Sequence, residues 1–223
     1  HVGKWHLGAF APEYHPNRRG FDEFTGFRGG WSDYYRWRLE RNGRPMPLDE
    51  IHRRLGEDIE RHRAQPFFLH LCYNAPHTPP QAPLDEIRPF VEAGRVSFPV
   101  AVMYGMIRRL DRGVEQVLDA LRRMGLEENT VVVFSSDNGP QFVSELGPIP
   151  RFNCHFNGRK GTTYEGGVRV PAIVRWPAGG LTGGRRENAF LHMVDWYPTL
   201  LSLAGLPAWA PNALDGIDQS RML

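Results

Sequence analysis

The sequence predicts an α/β fold in which a mainly parallel sheet is flanked by helices. Two short apolar runs, Pro66–Leu71 and Thr130–Phe134, have the composition of strands buried on both faces of such a sheet. Between them, apolar residues recur at helical spacing from Met103 to Leu121, and Gly125 is placed to end that helix. The resulting strand–helix–strand order is typical of parallel sheets.

Three further elements follow from local patterns. Apolar residues recur every four positions within Asp49–Arg63 and predict an amphipathic helix, and Pro171–Trp176 reads as a short strand. A last helix is expected over Trp196–Ala204, with Asp195 as its N-cap and Gly205 as its stop. We interpret Asp195 as structural rather than catalytic. Between these elements, the aromatic segment Trp31–Trp37 and the irregular loop Pro140–Asn157 are candidates for lining a substrate cleft, although aromatic residues are also commonly buried in the core.

The size and net charge of the chain limit the classes of function that it can have. A chain of 223 residues, 41% of them hydrophobic, is long enough for one substantial core, so we expect a single domain over residues 1–223. The net charge of +2 is too small to predict binding to nucleic acid, and no apolar run has the length of a membrane span. The chain begins His1-Val2-Gly3-Lys4 without an initiator methionine, which we interpret as the interior of a longer sequence. Oligomeric state and the pairing of Cys72 with Cys154 stay open.

The polar residues after the second apolar run are the first candidates for a site. Asp137 and Asn138 follow Thr130–Phe134 almost directly, and ligands in open α/β sheets bind at the carboxyl ends of strands. A carboxylate beside an amide oxygen suits Ca²⁺ or Mg²⁺. The alternative is an ordinary turn, because Asp-Asn-Gly is common turn chemistry.

Two lysines and two histidines are the other candidates. Of 27 basic residues only Lys4 and Lys160 are lysine, and both lie in polar, glycine-flanked stretches. His6 lies two residues after Lys4, on the same side if that segment is extended, and such a pair can hold an anion. Prolines on both sides of His77 restrict its loop. The alternatives are a surface pair for Lys4 and His6 and a structural loop histidine for His77.

Four motifs in this order resemble those of the type I sulfatases, the arylsulfatase-like branch of the alkaline phosphatase superfamily. They are Gly-Lys-Trp-His-Leu-Gly at 3–8, Ala-Pro-His-Thr-Pro at 75–79, Ser-Asp-Asn-Gly at 136–139 and Gly-Arg-Lys-Gly-Thr-Thr-Tyr-Glu-Gly-Gly at 158–167. The resemblance covers nearly the whole chain. It implies an alkaline-phosphatase-like sulfatase domain, truncated at both ends, that lacks its N-terminal strands and its C-terminal subdomain.

The resemblance also implies roles for the candidate residues. Asp137 and Asn138 would be ligands of Ca²⁺, with Mg²⁺ as the other possibility. Lys4, His77 and Lys160 would contact the oxygens of a sulfate ester, and His6 would lie beside the nucleophile and assist its turnover. The implied activity is that of a sulfuric ester hydrolase acting on a small-molecule or carbohydrate sulfate ester. The implied location is periplasmic, secreted or lysosomal.

The family's nucleophile motif and its early Asp-Asp pair, which completes the metal site, are both missing from the sequence. The family's nucleophile is a formylglycine made from the Cys or Ser of a C/S-x-P-x-R motif, which lies upstream of the Lys-Trp-His motif. Ser97-Phe98-Pro99 starts this pattern but has Ala101 in place of arginine, and it lies downstream. We therefore expect the formylglycine on an upstream segment and expect these 223 residues alone to be inactive. Two alternatives stay open: a phosphonate or phosphodiester hydrolase of the same superfamily, and a non-catalytic protein that binds sulfated sugars.

Overall fold

The computed structural model describes residues 1–46, 51–141, 143–144, 147–148, 152–210 and 212–223. The chain forms two compact units, one of residues His1–Glu127 and Ser136–Val170 and the other of residues Glu128–Ser135 and Pro171–Leu223. None of the helices within the described residues is long and apolar enough to cross a membrane.

The first unit is built on a mixed five-stranded sheet. Its strands are β1 (Val2–Lys4), β2 (Thr25–Phe27), β3 (Leu39–Arg41), β4 (Arg44–Met46) and β5 (Leu71–Cys72), in the spatial order β4-β3-β2-β1-β5. Strand β1 is parallel to both of its neighbours, β2 and β5, whereas β3 pairs antiparallel with β2 and with β4. A buried Gly26 lies beside Gly3 in the β1–β2 ladder, where a Cβ on Gly26 would lie 1.9 Å from the Gly3 carbonyl oxygen.

Three helices accompany this sheet: α1 (Ile51–His62), α2 (Leu84–Glu92) and α3 (Phe98–Arg123). The predicted helix at Met103–Leu121 is confirmed and extends five residues further toward the N-terminus, where Pro99 is tolerated in the first turn. Gly125 ends α3 with a φ of +69°, a value that glycine adopts without strain. Two buried clusters involve α3: Ile87 of α2 packs with Ala101 and Val102, whereas Val100, Met103 and Met106 pack against Tyr34, Ala82, Val96 and Tyr104.

Buried charge also joins α2 to α3. The Glu86 side chain is 1% exposed, and its carboxylate accepts a hydrogen bond from Arg112 at 2.6 Å. The guanidinium of Arg108 lies 3.4 Å from the same carboxylate. Removing a carboxylate from water is costly unless it is paired, so these arginines are needed for Glu86 to lie inside the interface.

The second unit contains β6 (Val132–Ser135), β9 (Ala172–Arg175) and α5 (Trp196–Leu203). Two further strands, β7 (Val143–Ser144) and β8 (Gly147–Pro148), form an antiparallel hairpin, and the one-turn helix α4 covers Glu165–Val168; all three belong to the first unit. The hairpin lies in the stretch that the sequence predicts to be irregular, so regular pairing there is a correction.

Two strand predictions need correction as well. The strand expected at Pro66–Leu71 pairs only at Leu71 and Cys72, at one edge of the sheet, and Phe68 is 65% exposed. β6 forms close to where it is expected but pairs antiparallel with β9, and Phe134 is 37% exposed rather than buried. An apolar run predicts a strand well but does not determine its partners, because pairing depends on distant segments.

The cap at Asp195 is also different from the prediction. Its carboxylate makes no cap bond to α5; it accepts hydrogen bonds from the backbone N–H of His192 and of Ile217, at 2.8 and 2.9 Å. These two bonds lower the pKa of Asp195, since they stabilise the charged form. Asp195 therefore fixes local backbone within the second unit, by contacts that its position before a helix does not reveal.

Candidate active site

Lys4 and His77 reach the same edge of the five-stranded sheet. Lys4 is the last residue of β1, and His77 lies on the loop that follows β5. Since β1 and β5 are parallel neighbours, their carboxyl ends lie side by side. The His77 loop is held in a tight turn by a hydrogen bond from the His77 N–H to the Asn74 carbonyl oxygen, at 2.8 Å.

The turn Asp137–Gly139 is attached directly to the glycine-rich segment that carries Lys160. The Gly139 N–H donates to the Gly167 carbonyl oxygen at 2.8 Å, and the Lys160 N–H donates to the Pro140 carbonyl oxygen at 2.9 Å. A Cβ on Gly139 would lie 2.0 Å from the Gly166 carbonyl oxygen. The two segments therefore touch backbone to backbone, and only glycine permits this approach.

Electrostatic interactions connect four of the candidate side chains. Burial lowers the pKa of Lys4, with Asp137 opposing that shift and Lys160 adding to it. Burial lowers the pKa of His77, the charges of Lys4 and Lys160 lower it further, and the charge of Asp137 raises it. Charges affect one another's pKa strongly only at short range. Four residues that are distant in sequence thus form one charged group, with two ammonium groups, an imidazole and a carboxylate.

The protonation of His77 follows from its hydrogen bond. Its Nδ1 lies 2.9 Å from the Thr78 carbonyl oxygen, which can only accept, so Nδ1 carries a proton and Nε2 is bare in the neutral ring. Burial lowers the pKa of His77, and Lys4 and Lys160 lower it further by repelling the imidazolium. Without a bound anion, these effects favour neutral His77. An anion that neutralises the lysines would favour a second proton, at Nε2.

A second set of residues supports His77 and is not evident from the motifs. The Tyr34 hydroxyl donates to the His77 carbonyl oxygen at 2.9 Å, and its N–H donates to the Gln81 side chain at 2.9 Å. Asn74, which is buried, donates to the Ser32 carbonyl oxygen at 2.9 Å. Burial raises the pKa of Tyr34 well above its usual value. The aromatic content of Trp31–Trp37 was the available signal, but it does not identify Tyr34 as the residue that contacts the His77 loop.

The other aromatic residues of the segment Trp31–Trp37 divide between the two predicted fates, core packing and exposure in a substrate cleft. Trp37 packs edge-on against Phe27 and Tyr34, with ring centroids 5.7 and 5.8 Å away. Trp31 is 62% exposed and Tyr35 is 57% exposed. Trp37 therefore belongs to the packed interior of this region, whereas Trp31 and Tyr35 are free to meet a ligand.

The side-chain oxygens of Asp137 and Asn138 suit a hard cation, but they are too few to complete its coordination sphere. The Asn138 amide donates from Nδ2 to the Gly139 carbonyl oxygen at 2.8 Å, which leaves its oxygen as the atom available to a cation. Asp137 is exposed. Within the described residues, no group of three acidic, histidine or cysteine side chains gathers around Asp137. Because Ca²⁺ takes six to eight oxygens, these two residues could supply only part of the coordination that such an ion needs.

His6 is placed differently from the extended geometry that the sequence suggests. β1 ends at Lys4, and His6 has a φ of +55°, so the two side chains do not follow one extended strand. The His6 ring lies against Gly30, where a Cβ would be 2.5 Å from Nε2. Its side chain is exposed, and its proposed role beside a nucleophile stays a prediction.

The structure also bears on the incomplete nucleophile motif. Ala101 is fully buried within α3, and Ser97 is the N-cap residue of the same helix. An arginine at position 101 would place its charge in the α2–α3 core, which explains physically why this segment cannot carry the motif. Cys72 and Cys154 are both free thiols, which answers the question of their pairing.

Comparison with known proteins agrees with this geometry. The sulfatase family model matches residues 1–206. N-acetylgalactosamine-6-sulfatase of Canis lupus familiaris is 34% identical over 97% of this chain and 44% of its own length, and arylsulfatase J of Mus musculus is 31% identical over 97% and 38%. The chain thus spans less than half the length of these relatives.

Solved structures show the same fold. The crystal structure of Ps i-CgsB in complex with k-i-k-neocarrahexaose has a TM-score of 0.85 and 33% identity, covering 98% of this chain and 53% of the other. The sulfatase PsFucS1 from Pseudoalteromonas sp. has a TM-score of 0.80 and 26% identity, covering 100% and 51%. Because the sulfatase family model matches residues 1–206 and the relatives are more than 30% identical over nearly the whole chain, the chain belongs to the sulfatase family.

Proposed function

We propose that this protein is a sulfuric ester hydrolase that acts on a sulfated carbohydrate. The observation that carries the proposal is the electrostatic group formed by Lys4, His77, Asp137 and Lys160, in which the charges of the two lysines add to burial in lowering the pKa of His77. A sulfate monoester is an anion, so its oxygens need cationic partners as the ester bond breaks. The relatives named above support a sugar sulfate as the substrate class.

The side chains of this chain have separable roles in that reaction. Lys4 and Lys160 neutralise the sulfate oxygens from two sides. His77 takes up a proton at Nε2 when the anion is bound and can donate it to the oxygen of the departing alcohol. Tyr34 holds the backbone of the His77 loop in place by its hydrogen bond to the His77 carbonyl oxygen.

Two absent groups complete the proposal. Asp137 and Asn138 would hold a Ca²⁺ ion, with Mg²⁺ as an alternative, and further ligands would be required. A formylglycine on another segment of the protein would supply the nucleophile, because neither Cys72 nor Cys154 has a proline two residues later.

The test is hydrolysis of p-nitrophenyl sulfate by the full-length protein and by two variants, Lys160→Ala and His77→Ala. We expect each variant to lose at least about a hundredfold in kcat/KM, since each removes a partner of the developing charge. Arg159→Ala is the matched control, because it removes an exposed positive charge from the neighbouring position of the same loop.

Three outcomes would contradict the proposal. Turnover that survives both variants would exclude the electrostatic group as the site. Faster hydrolysis of p-nitrophenyl phosphate or of a phosphonate monoester would favour the other branch of the superfamily. Binding of a sulfated sugar without release of sulfate would favour a non-catalytic binding protein.

A further inference from the structure

A cluster of nitrogen and sulfur side chains lies outside the residues proposed to bind sulfate or Ca²⁺. In the parallel β1–β5 ladder, Val2 is opposite Leu71 and Gly3 is opposite Cys72. This register places His1 beside His70, and because side chains alternate along a strand, His70 and Cys72 share one face. One donor atom from each of His1, His70 and Cys72 lies within 4.8 Å of the others.

A continuous series of hydrogen bonds links the side chains of His1, His70 and Cys72. Nε2 of His1 lies 3.0 Å from the Lys4 carbonyl oxygen, so it carries a proton and leaves Nδ1 of His1 bare. That Nδ1 lies 3.2 Å from Nδ1 of His70, which must then be the donor. Nε2 of His70 is consequently an acceptor for the Cys72 thiol, 3.1 Å away. One tautomer of each ring satisfies every contact.

This arrangement has the features of a metal site. A histidine that binds a metal commonly donates its other N–H to a backbone carbonyl, which fixes the tautomer and the ring orientation, as His1 does with Lys4. Two imidazoles and a thiolate suit a borderline-soft ion such as Zn²⁺ far better than Ca²⁺. His1 is 6% exposed, whereas His70 is exposed, so an ion has a route to the cluster from the His70 side.

Aromatic rings surround the two histidines. His1 packs edge-on against Trp5 and Phe21, with ring centroids 5.2 and 5.4 Å away. Phe68 stacks on the His70 ring with a centroid distance of 6.3 Å. This packing limits how far either ring can swing away, which keeps the donor atoms together and shields a bound ion from much of the solvent.

We propose that His1, His70 and Cys72 form a Zn²⁺ site that ties β1 to β5. Donor atoms on one tetrahedral zinc lie about 3.3 to 3.8 Å apart, so the donor atoms of this cluster, which lie within 4.8 Å of one another, must approach by up to about 1.5 Å. On binding, Nδ1 of His1, Nε2 of His70 and the Cys72 sulfur bond to the metal, and the hydrogen bonds from His70 to His1 and from Cys72 to His70 are broken. The Cys72 thiol releases its proton to solvent, both imidazoles stay neutral, and a water molecule can take the fourth position. The site uses none of the residues proposed to bind sulfate or Ca²⁺ through their side chains.

The test is a titration of the full-length, metal-free protein with Co²⁺ and with Zn²⁺. We expect one equivalent of Co²⁺ to bind and to give the near-ultraviolet charge-transfer absorption of a cobalt–thiolate bond, and we expect Zn²⁺ to displace it. Cys72→Ser should abolish this absorption, and His70→Gln should weaken Co²⁺ binding by at least about tenfold. Cys154→Ser is the matched control, because Cys154 is the other free thiol and is exposed.

The outcomes separate this site from the proposed sulfatase function. Asp137→Asn should still bind one equivalent of Co²⁺ with the cobalt–thiolate absorption, and excess Ca²⁺ should not displace Co²⁺, even if the sulfatase proposal is wrong. A wild-type protein without cobalt–thiolate absorption would overturn the zinc site, as would absorption that persists in Cys72→Ser or disappears in Cys154→Ser. If Cys72→Ser fails to fold, the exposed His70 decides the question, and unchanged affinity in His70→Gln overturns the proposal.

Discussion

Substituting Gly139 with alanine tests whether direct backbone contact holds the two halves of the candidate site together. Gly139 is buried and follows Asp137 and Asn138 in the turn. A Cβ there would lie 2.0 Å from the Gly166 carbonyl oxygen and 3.2 Å from the Gly167 Cα, whereas ordinary contacts are 3.4–4 Å. The obstacles are backbone atoms, so no side-chain rotation can relieve the clash. The turn and the Lys160 segment must separate by more than an ångström.

The expected loss of stability has two parts. Overpacking a tight contact costs about 1 to 3 kcal/mol. The displacement also breaks the hydrogen bond from the Gly139 N–H to Gly167, which contributes about 0.5 to 1.5 kcal/mol. We therefore expect Gly139→Ala to lower the free energy of unfolding by about 2 to 4 kcal/mol. Binding of inorganic sulfate should weaken in parallel, because Asp137 and Lys160 no longer keep their relative positions.

Urea denaturation and isothermal titration with sulfate measure these two effects. The control is Gly56→Ala in α1, where a Cβ would meet nothing within 4 Å and φ is not positive. Alanine is the better helix former, so this control should gain about 0.5 to 1 kcal/mol. If Gly139→Ala is as stable as the wild-type protein and binds sulfate equally well, the close approach of the two segments is refuted.

Two further predictions concern charge. In metal-free protein, Lys160→Ala should raise the pKa of His77 toward its usual value of 6.5, because the Lys160 ammonium opposes protonation of the ring. NMR titration of His77 measures this pKa. An unchanged pKa would show that Lys160 does not belong to the electrostatic group. Glu86→Gln should destabilise the protein by about 2 kcal/mol, because it removes the charge that pairs with Arg112 and Arg108. The partial exposure of the two arginines to solvent limits this loss. Thermal or urea unfolding checks the second prediction against Asp119→Asn, an exposed pair with Arg122 that should change stability by less than about 0.5 kcal/mol.

The helix predictions succeeded because helices depend on local sequence. The apolar spacing from Met103 to Leu121 and the glycine at position 125 located α3 and its end. Strands were harder, since their partners come from elsewhere in the chain. The run Thr130–Phe134 identified β6 but not its antiparallel pairing with β9, and the run Pro66–Leu71 overestimated the length of β5.

The candidate site was likewise only partly predictable from the sequence. Motif order and the scarcity of lysine selected Lys4, His77, Asp137 and Lys160 from the sequence. Neither feature could show that Tyr34 fixes the His77 loop or that Nδ1 of His77 is already engaged by Thr78. Those facts depend on where separate loops lie in space, and hydrogen bonds between loops leave no periodic trace in a sequence.

The sequence by itself determined the chemical identity of the groups, the α/β class and the family resemblance, because residue type and order are sufficient for these. Only the tertiary structure decided that the charges of Lys4, Lys160 and Asp137 act on His77, and that His1 lies beside His70 and Cys72. The physical reason is that electrostatic coupling and metal coordination act over a few ångströms, and the register of β1 against β5 sets those distances.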